Sequence, residues 1–228
     1  MFSEARYATV ILDVDSTVSG IEGIDWLAAL RTPDIAARIA ELTARAMEGA
    51  VALENIYAER LRLVAPRREE IADLGRAYVG ALAAGSRDAV MTLRASGVRV
   101  LLISGGLREA ILPIAGALGL ATNDVHAVSI RFTPDGGYAD FDLSSPLAAS
   151  HGKRIVVEGL GLSRPILAVG DGVTDLDMKP VVDAFAAFTG FVRRESVVRD
   201  ATIEVRSFAE LTDFITSGTS PSDEHSTP

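Results

Sequence analysis

Residues 7–15, with the sequence YATVILDVD, decide the fold of this chain. The run from Tyr7 to Leu12 is short, apolar and rich in β-branched residues, and it lacks helical periodicity, so it predicts a buried strand of a parallel sheet. Two carboxylates, Asp13 and Asp15, follow this strand directly. Because ligands bind beyond the carboxyl ends of the strands in an open parallel sheet, Asp13 and Asp15 are the first candidates for chemistry.

The rest of the chain predicts one block of helices and then a regular alternation. Apolar residues between Glu22 and Ala84 recur at helical spacing, and this part contains no strand pattern. Further on, strands are predicted at residues 98–103, 165–169, 184–188 and 202–205, with a strand pair around the turn at 134–137. Helices are predicted at residues 86–95, from 107, at 152–160 and after a capping box at Ser207 and Glu210. The pattern indicates an α/β fold: a doubly wound, Rossmann-like parallel sheet core with an inserted helical cap.

Domain boundaries follow from where the patterns change. We expect residues 1–19 and 86–216 to form the α/β catalytic core and residues 20–85 to form the helical cap. Residues 217–228 are rich in Ser, Thr and Pro, which favours a disordered tail.

Composition narrows the class of protein. The 228 residues include 22 Lys and Arg against 31 Asp and Glu, a net charge of −9, which is the wrong sign for a general nucleic-acid binder. The absence of cysteine excludes disulfides, thiolate metal sites and cysteine nucleophiles. The first residues lack a basic leader, and no apolar run approaches the roughly twenty residues of a membrane span. We therefore expect a cytoplasmic enzyme with neither a nucleic-acid nor a membrane partner, and the oligomeric state stays open.

Three polar clusters follow the ends of three predicted strands. They are Asp13 to Thr17, Ser104 to Gly106, and Gly170 to Asp175. Carboxylates from two strand ends, with no His or Cys beside them, make an all-oxygen site that suits Mg²⁺ and leaves a phosphate as a further ligand. The pattern therefore predicts a phosphate-handling crevice at the carboxyl edge of the sheet.

The residue types in this crevice fit nucleophilic catalysis. Asp13 and Asp15, two positions apart in extended backbone, can point the same way and divide the work, one attacking phosphorus and the other transferring protons. Ser104 is followed by two small glycines that let backbone amides approach a phosphate, and we expect it at a helix start. Lys153 supplies the compact cation that both a phosphate and a carboxylate nucleophile need.

These motifs occur in an order that resembles the haloacid dehalogenase superfamily of phosphatases. The four motifs are Asp13-x-Asp15-x-Thr17, Ser104 after an apolar strand, Lys153, and Gly170-Asp171-Gly172-x-Thr174-Asp175. Within the superfamily the chain closely resembles the phosphoserine phosphatases, on the stretches Glu22-Gly23-Ile24-Asp25, Arg45-Ala46-Met47, Glu59-Arg60-Leu61 and Asp183-Ala184-Phe185. The resemblance spans nearly the whole chain except the tail.

The resemblance implies a Mg²⁺-dependent hydrolysis of O-phospho-L-serine through an aspartyl-phosphate, the last step of serine biosynthesis. Asp13 matches the nucleophile and Asp15 the general acid and base. Asp13, Asp171 and the backbone carbonyl of Asp15 match the metal ligands, with Asp175 supporting them. The positions that match substrate binders are Glu22, Met47, Arg60, Ser104, Gly105, Gly106, Lys153, Thr174 and Arg194.

Two positions depart from the family pattern, and other functions stay open. Glu48 replaces one of two common glycines, where we expect it to point outward, and Phe191 replaces an Asn. One alternative is a phosphatase of the same fold that acts on another small phosphomonoester, or that passes phosphate to homoserine. A non-enzyme alternative is a phosphoserine-binding sensor.

Overall fold

A computed structural model of the chain describes residues 5–47, 50 and 52–216. Within these ranges the strands are β1 (Thr9–Leu12), β2 (Arg99–Leu107), β3 (Val125–Val128), β4 (Ile130–Phe132), β5 (Tyr138–Phe141), β6 (Ile166–Gly170), β7 (Ala184–Phe188) and β8 (Ile203–Val205). The α-helices are α1 (Gly23–Ala28), α2 (Pro33–Met47), α3 (Tyr57–Val64), α4 (Arg68–Gly80), α5 (Ser86–Ala95), α6 (Arg108–Ala117), α7 (Gly152–Gly159), α8 (Val173–Leu176), α9 (Glu195–Asp200) and α10 (Phe208–Thr216). The predicted tail, residues 217–228, and Glu48 lie outside the described residues.

Six strands form a parallel sheet in the order β3-β2-β1-β6-β7-β8. β1 lies between β2 and β6, with Leu12 opposite Leu102 on one side and Val169 on the other. The residues of β1 from Val10 to Leu12 are fully buried, as their apolar, β-branched character predicts. Strand order reverses around β1, so its carboxyl end is the switch point at which such sheets bind ligands. The predicted doubly wound parallel sheet is confirmed.

Two details of the sheet differ from the sequence prediction. β3 was not predicted, because it is only four residues long and carries His126 opposite Ile103 of β2. β2 continues to Leu107 through a shift in register, so Ser104 lies within the strand, and α6 begins at Arg108. The expectation that Ser104 lies at a helix start is therefore wrong.

Residues 20–85, the predicted cap, contain α1 to α4 in their described part and no named strand, and we call this segment the helical insert. Its two ends run side by side, since the Gly20 amide donates to the Ala81 carbonyl at 3.0 Å and the Ala83 amide donates to the Val18 carbonyl at 2.9 Å. A Cβ on Gly75 of α4 would lie 3.3 Å from the Ala110 carbonyl of α6, so a residue without a side chain allows these helices to pack closely. The insert is thus anchored beside the carboxyl edge of the sheet.

Candidate active site

The strand ends bring charged side chains into the interior of the protein. Asp13 after β1 and Asp171 after β6 are 5% and 3% exposed, and Lys153 near the start of α7 is 6% exposed. Buried charges are costly unless they are paired, so their arrangement indicates a functional site.

Lys153 joins two of the buried carboxylates. Its Nζ lies 2.6 Å from Asp13 Oδ1 and 2.5 Å from Asp175 Oδ1. The second oxygen of Asp175 accepts a hydrogen bond from the Gly172 amide at 3.0 Å. Burial opposes the charge on Lys153, but Asp13 and Asp175 outweigh it and hold the pKa of Lys153 above its usual range. Lys153 is therefore a fixed cation beside the predicted nucleophile.

Negative charge exceeds positive charge at this point. One carboxylate oxygen each from Asp13, Asp171 and Asp175 lies within 4.8 Å of the others. Burial and the neighbouring Asp175 raise the pKa of Asp13, against the opposing effect of Lys153, and the same two causes raise the pKa of Asp171 to about 7. A cluster of hard oxygen donors that carries excess negative charge suits a divalent metal ion.

Arg194 contacts this carboxylate cluster directly. Its guanidinium donates to Asp171 Oδ2, and the other oxygen of Asp171 accepts a longer hydrogen bond from Thr17 Oγ1 at 3.5 Å. The predicted substrate contact of Arg194 stays a prediction, since the described contact is with a predicted metal ligand.

Asp15 is held by donors that come from the helical insert. Its Oδ1 accepts hydrogen bonds from the Gly23 amide and from the Tyr78 hydroxyl, both at 2.6 Å. Its Oδ2 lies 3.4 Å from Ser104 Oγ. Burial raises the pKa of Asp15, and the hydrogen bonds from Tyr78 and Gly23 work against that rise. Sequence reasoning missed Tyr78, because an apolar helical position gives no sign of a polar contact far along the chain.

The Ser104 segment needs glycine for close approach. The Gly106 amide donates to Ser104 Oγ at 2.9 Å, and a Cβ on Gly106 would lie 2.9 Å from Asp15 Oδ2. The Gly105 carbonyl accepts a hydrogen bond from the Tyr57 hydroxyl at 2.8 Å, another contact from the insert that the sequence did not predict. The absence of a side chain at Gly106 thus lets the backbone of β2 lie close to the Asp15 carboxylate.

The insert contributes one group of each charge type. Glu22 Oε1 accepts a hydrogen bond from Ser16 Oγ at 2.7 Å, and burial together with nearby Asp15 raises the pKa of Glu22 to about 8. Arg60 is 4% exposed, and its Nε has no hydrogen-bond partner among the described residues. An unpaired buried guanidinium nitrogen is costly, so a ligand anion is the natural partner.

Most of the predicted site residues line one cavity. The residues that line it include Asp13, Asp15, Glu22, Arg60, Ser104, Gly105, Gly106, Lys153 and Thr174. Met47 is the last residue of α2, and its side chain lies outside the described part of the structure. Phe191 packs on Phe188 and on Gly20 at the start of the insert and does not line this cavity. In the described ranges, no helix is long and apolar enough to cross a membrane.

Comparisons with known proteins agree with these observations. The chain matches the model of the haloacid dehalogenase-like hydrolase family over residues 10–179. It is 38% identical over 205 residues to the phosphoserine phosphatases of Rattus norvegicus and Homo sapiens, which covers 89% of this chain and 90% of each relative. A solved phosphoserine phosphohydrolase-like protein from Francisella tularensis superposes with a TM-score of 0.84 at 26% identity, over 91% of this chain and 99% of that one. The resemblance inferred from the motifs is thereby confirmed.

Proposed function

Because the chain belongs to the haloacid dehalogenase-like hydrolase family and is a phosphatase, we propose that it hydrolyses O-phospho-L-serine to L-serine and phosphate. The observation that carries the proposal is a single cavity lined by groups for both parts of the substrate. Asp13, beside Lys153, lines this cavity, and so do Glu22 and Arg60, whose buried Nε is unpaired among the described residues. Phosphoserine has a phosphate for the first pair and a zwitterionic amino-acid group for the second.

In the first chemical step, a carboxylate oxygen of Asp13 forms a bond to phosphorus while the bond from phosphorus to the seryl oxygen breaks. Asp15 gives its proton to that oxygen, so serine leaves as a neutral alcohol at this position. Lys153 stabilises the Asp13 carboxylate before attack and the phosphoryl oxygens afterwards. Ser104 Oγ, which lies 3.4 Å from Asp15 Oδ2, would donate a hydrogen bond to a phosphoryl oxygen.

In the second step, water attacks the phosphorus of the aspartyl-phosphate. Asp15, now ionised, takes a proton from this water, and the bond between phosphorus and Asp13 breaks to release phosphate and restore both carboxyl groups. The contacts of Asp15 with Gly23 and Tyr78 of the helical insert mean that an insert closed over the cavity keeps this residue in place through both steps.

The metal proposed for this site is Mg²⁺. Asp13, Asp171 and the backbone carbonyl of Asp15 would hold it, with Asp175 kept in position by Lys153 and the Gly172 amide. When bound, Mg²⁺ neutralises phosphate charge and aligns the phosphoryl group for in-line transfer.

Specificity is proposed to come from the insert. Arg60 would bind the substrate carboxylate and Glu22 the ammonium group, while the side-chain contact expected of Met47 stays a prediction. In the cell, this reaction would be the last step of serine biosynthesis, and cytoplasmic location stays a prediction.

The test is a panel of phosphate esters. Purified protein is given L-phosphoserine, phosphoethanolamine, a sugar phosphate and a nucleotide, each with Mg²⁺ or with EDTA, and with or without homoserine. We expect metal-dependent phosphate release that strongly favours phosphoserine and does not need homoserine. Preference for another ester would overturn the substrate assignment, transfer to homoserine would establish the phosphotransferase alternative, and binding without turnover would establish a sensor.

A further inference from the structure

Tyr78 is a buried tyrosine of α4 whose hydroxyl reaches the candidate active site. The ring is fully buried, and its O–H donates to Asp15 Oδ1 at 2.6 Å. The Gly23 amide donates to the same oxygen at 2.6 Å. Two short hydrogen bonds from the helical insert therefore converge on one oxygen of the proposed acid and base.

The position of this hydroxyl is tightly fixed. The backbone carbonyl of Tyr78 accepts a hydrogen bond from Ser19 Oγ at 3.2 Å, where the chain enters the insert. A Cβ on Gly23 would lie only 2.1 Å from the Tyr78 hydroxyl oxygen, so Gly23 leaves just enough space for it. The hydroxyl thus cannot shift far without moving α1 or the ends of the insert.

We propose that Tyr78 is a positioning residue that orients Asp15 for proton transfer to the leaving oxygen. With Oδ1 occupied by Tyr78 and Gly23, Oδ2 is the oxygen that lies 3.4 Å from Ser104 Oγ, a predicted substrate binder. The proposal rests on the proposed function, since it assigns Tyr78 a task within that reaction. It differs from a packing role, in which the ring would fill space and the hydroxyl would merely find a partner.

The two roles predict different dependence on the leaving group. The seryl oxygen of phosphoserine is a strongly basic alkoxide unless it is protonated as it leaves, so this ester needs a correctly oriented Asp15. Acetyl phosphate releases acetate, a weak base that needs no proton. A positioning role therefore predicts a loss confined to phosphoserine, whereas a packing role predicts similar losses for both esters.

The experiment measures kcat/KM of wild type and Tyr78→Phe for L-phosphoserine and acetyl phosphate with Mg²⁺. We expect a loss of about tenfold or more for phosphoserine and of less than about threefold for acetyl phosphate, within the range that general acid catalysis contributes. Tyr57→Phe is the matched control, because it removes another buried insert hydroxyl that binds Gly105 rather than Asp15. We expect its effect, whatever its size, to be equal for the two esters.

A second variant keeps the test valid if Tyr78→Phe fails to fold, as judged by its thermal melt. Gly23→Ala retains Tyr78 but places a Cβ 2.1 Å from its hydroxyl oxygen, so the hydroxyl and α1 must move apart and the same selective loss should follow. Equal losses for both esters, or no loss, would overturn the role of Tyr78 and leave the proposed function intact. A wild type inactive on phosphoserine would overturn both.

Discussion

Replacing Lys153 with Met should destabilise the protein strongly and in a pH-dependent way. Lys153 Nζ lies 2.6 Å from Asp13 and 2.5 Å from Asp175, and each attraction is about 6 kcal/mol at an effective dielectric constant of about 20. The cost of burying the ammonium group offsets several kcal/mol of this sum. Removing one partner from a buried ionic cluster costs about 3–5 kcal/mol, so we expect Lys153→Met to lower Tm by roughly 6–20 °C at pH 8.

The sign of the pH effect follows from the raised carboxyl pKa values. A carboxyl with a raised pKa binds a proton more readily in the folded than in the unfolded state, so it favours folding at low pH, and this contribution is lost as pH rises through the folded pKa. For Asp171 that value is about 7 with Lys153 in place, and removal of the lysine would raise it further. The Tm difference between wild type and Lys153→Met should therefore shrink from pH 8 to pH 5.

Thermal melts by circular dichroism at both pH values, with and without Mg²⁺, measure these effects. Lys179→Met is the matched control, because Lys179 is exposed and its Nζ donates to the Asp200 carbonyl at the surface. We expect it to change stability by less than about 1 kcal/mol. A Lys153→Met protein that melts within about 2 °C of wild type at pH 8, or whose deficit is the same at both pH values, would refute the electrostatic reasoning.

Other predictions concern the cavity and the contact between insert and core. Arg60→Met should raise KM for phosphoserine by about 10–100-fold, which corresponds to the loss of a hydrogen bond between charged groups. KM for phosphoethanolamine, which lacks the carboxylate, should change by less than about threefold. Equal increases for the two substrates would contradict carboxylate binding by Arg60. Gly106→Ala places a methyl group 2.9 Å from Asp15 Oδ2, so we expect kcat/KM to fall more than about tenfold and Tm to fall by roughly 2–12 °C. A variant with wild-type activity would show that this close approach is unimportant. Ser150→Ala removes the hydroxyl that accepts a hydrogen bond from the Leu53 amide at 3.1 Å, so hydrogen exchange at that amide should accelerate. Unchanged protection would show that this hydrogen bond does not hold the insert to the core.

The sequence was most informative where a short motif follows a buried strand. Asp13, Ser104 and Asp171 could be placed together because the strands before them are apolar and because parallel strands share a carboxyl edge. Lys153 lies in the helix before β6 rather than after a strand, so its placement beside Asp13 does not follow from the shared carboxyl edge. The structure brings all four to one site, since α7 returns Lys153 beside Asp13.

The unpredicted features depend on contacts between distant parts of the chain. Tyr78 and Tyr57 occupy apolar faces of helices, where an aromatic residue predicts core and its hydroxyl adds no pattern. Nothing in the local sequence distinguishes Ser150. Its hydroxyl accepts a hydrogen bond from the Leu53 amide, and its own amide donates one to the Glu54 carboxylate at 2.8 Å. β3 is too short for an alternating pattern, and its pairing with the longer β2 completes it.

The most direct test of the central claim is phosphate release from L-phosphoserine by wild type and Asp13→Asn, measured side by side with Mg²⁺. Asparagine keeps the shape of the side chain, so thermal melts should show a folded variant, and its neutral amide oxygen is a poor nucleophile. The account predicts rapid turnover by wild type and none above background by Asp13→Asn. Substantial turnover by the folded variant would contradict the assignment of Asp13 as the nucleophile, and an inactive wild type would contradict the proposed function itself.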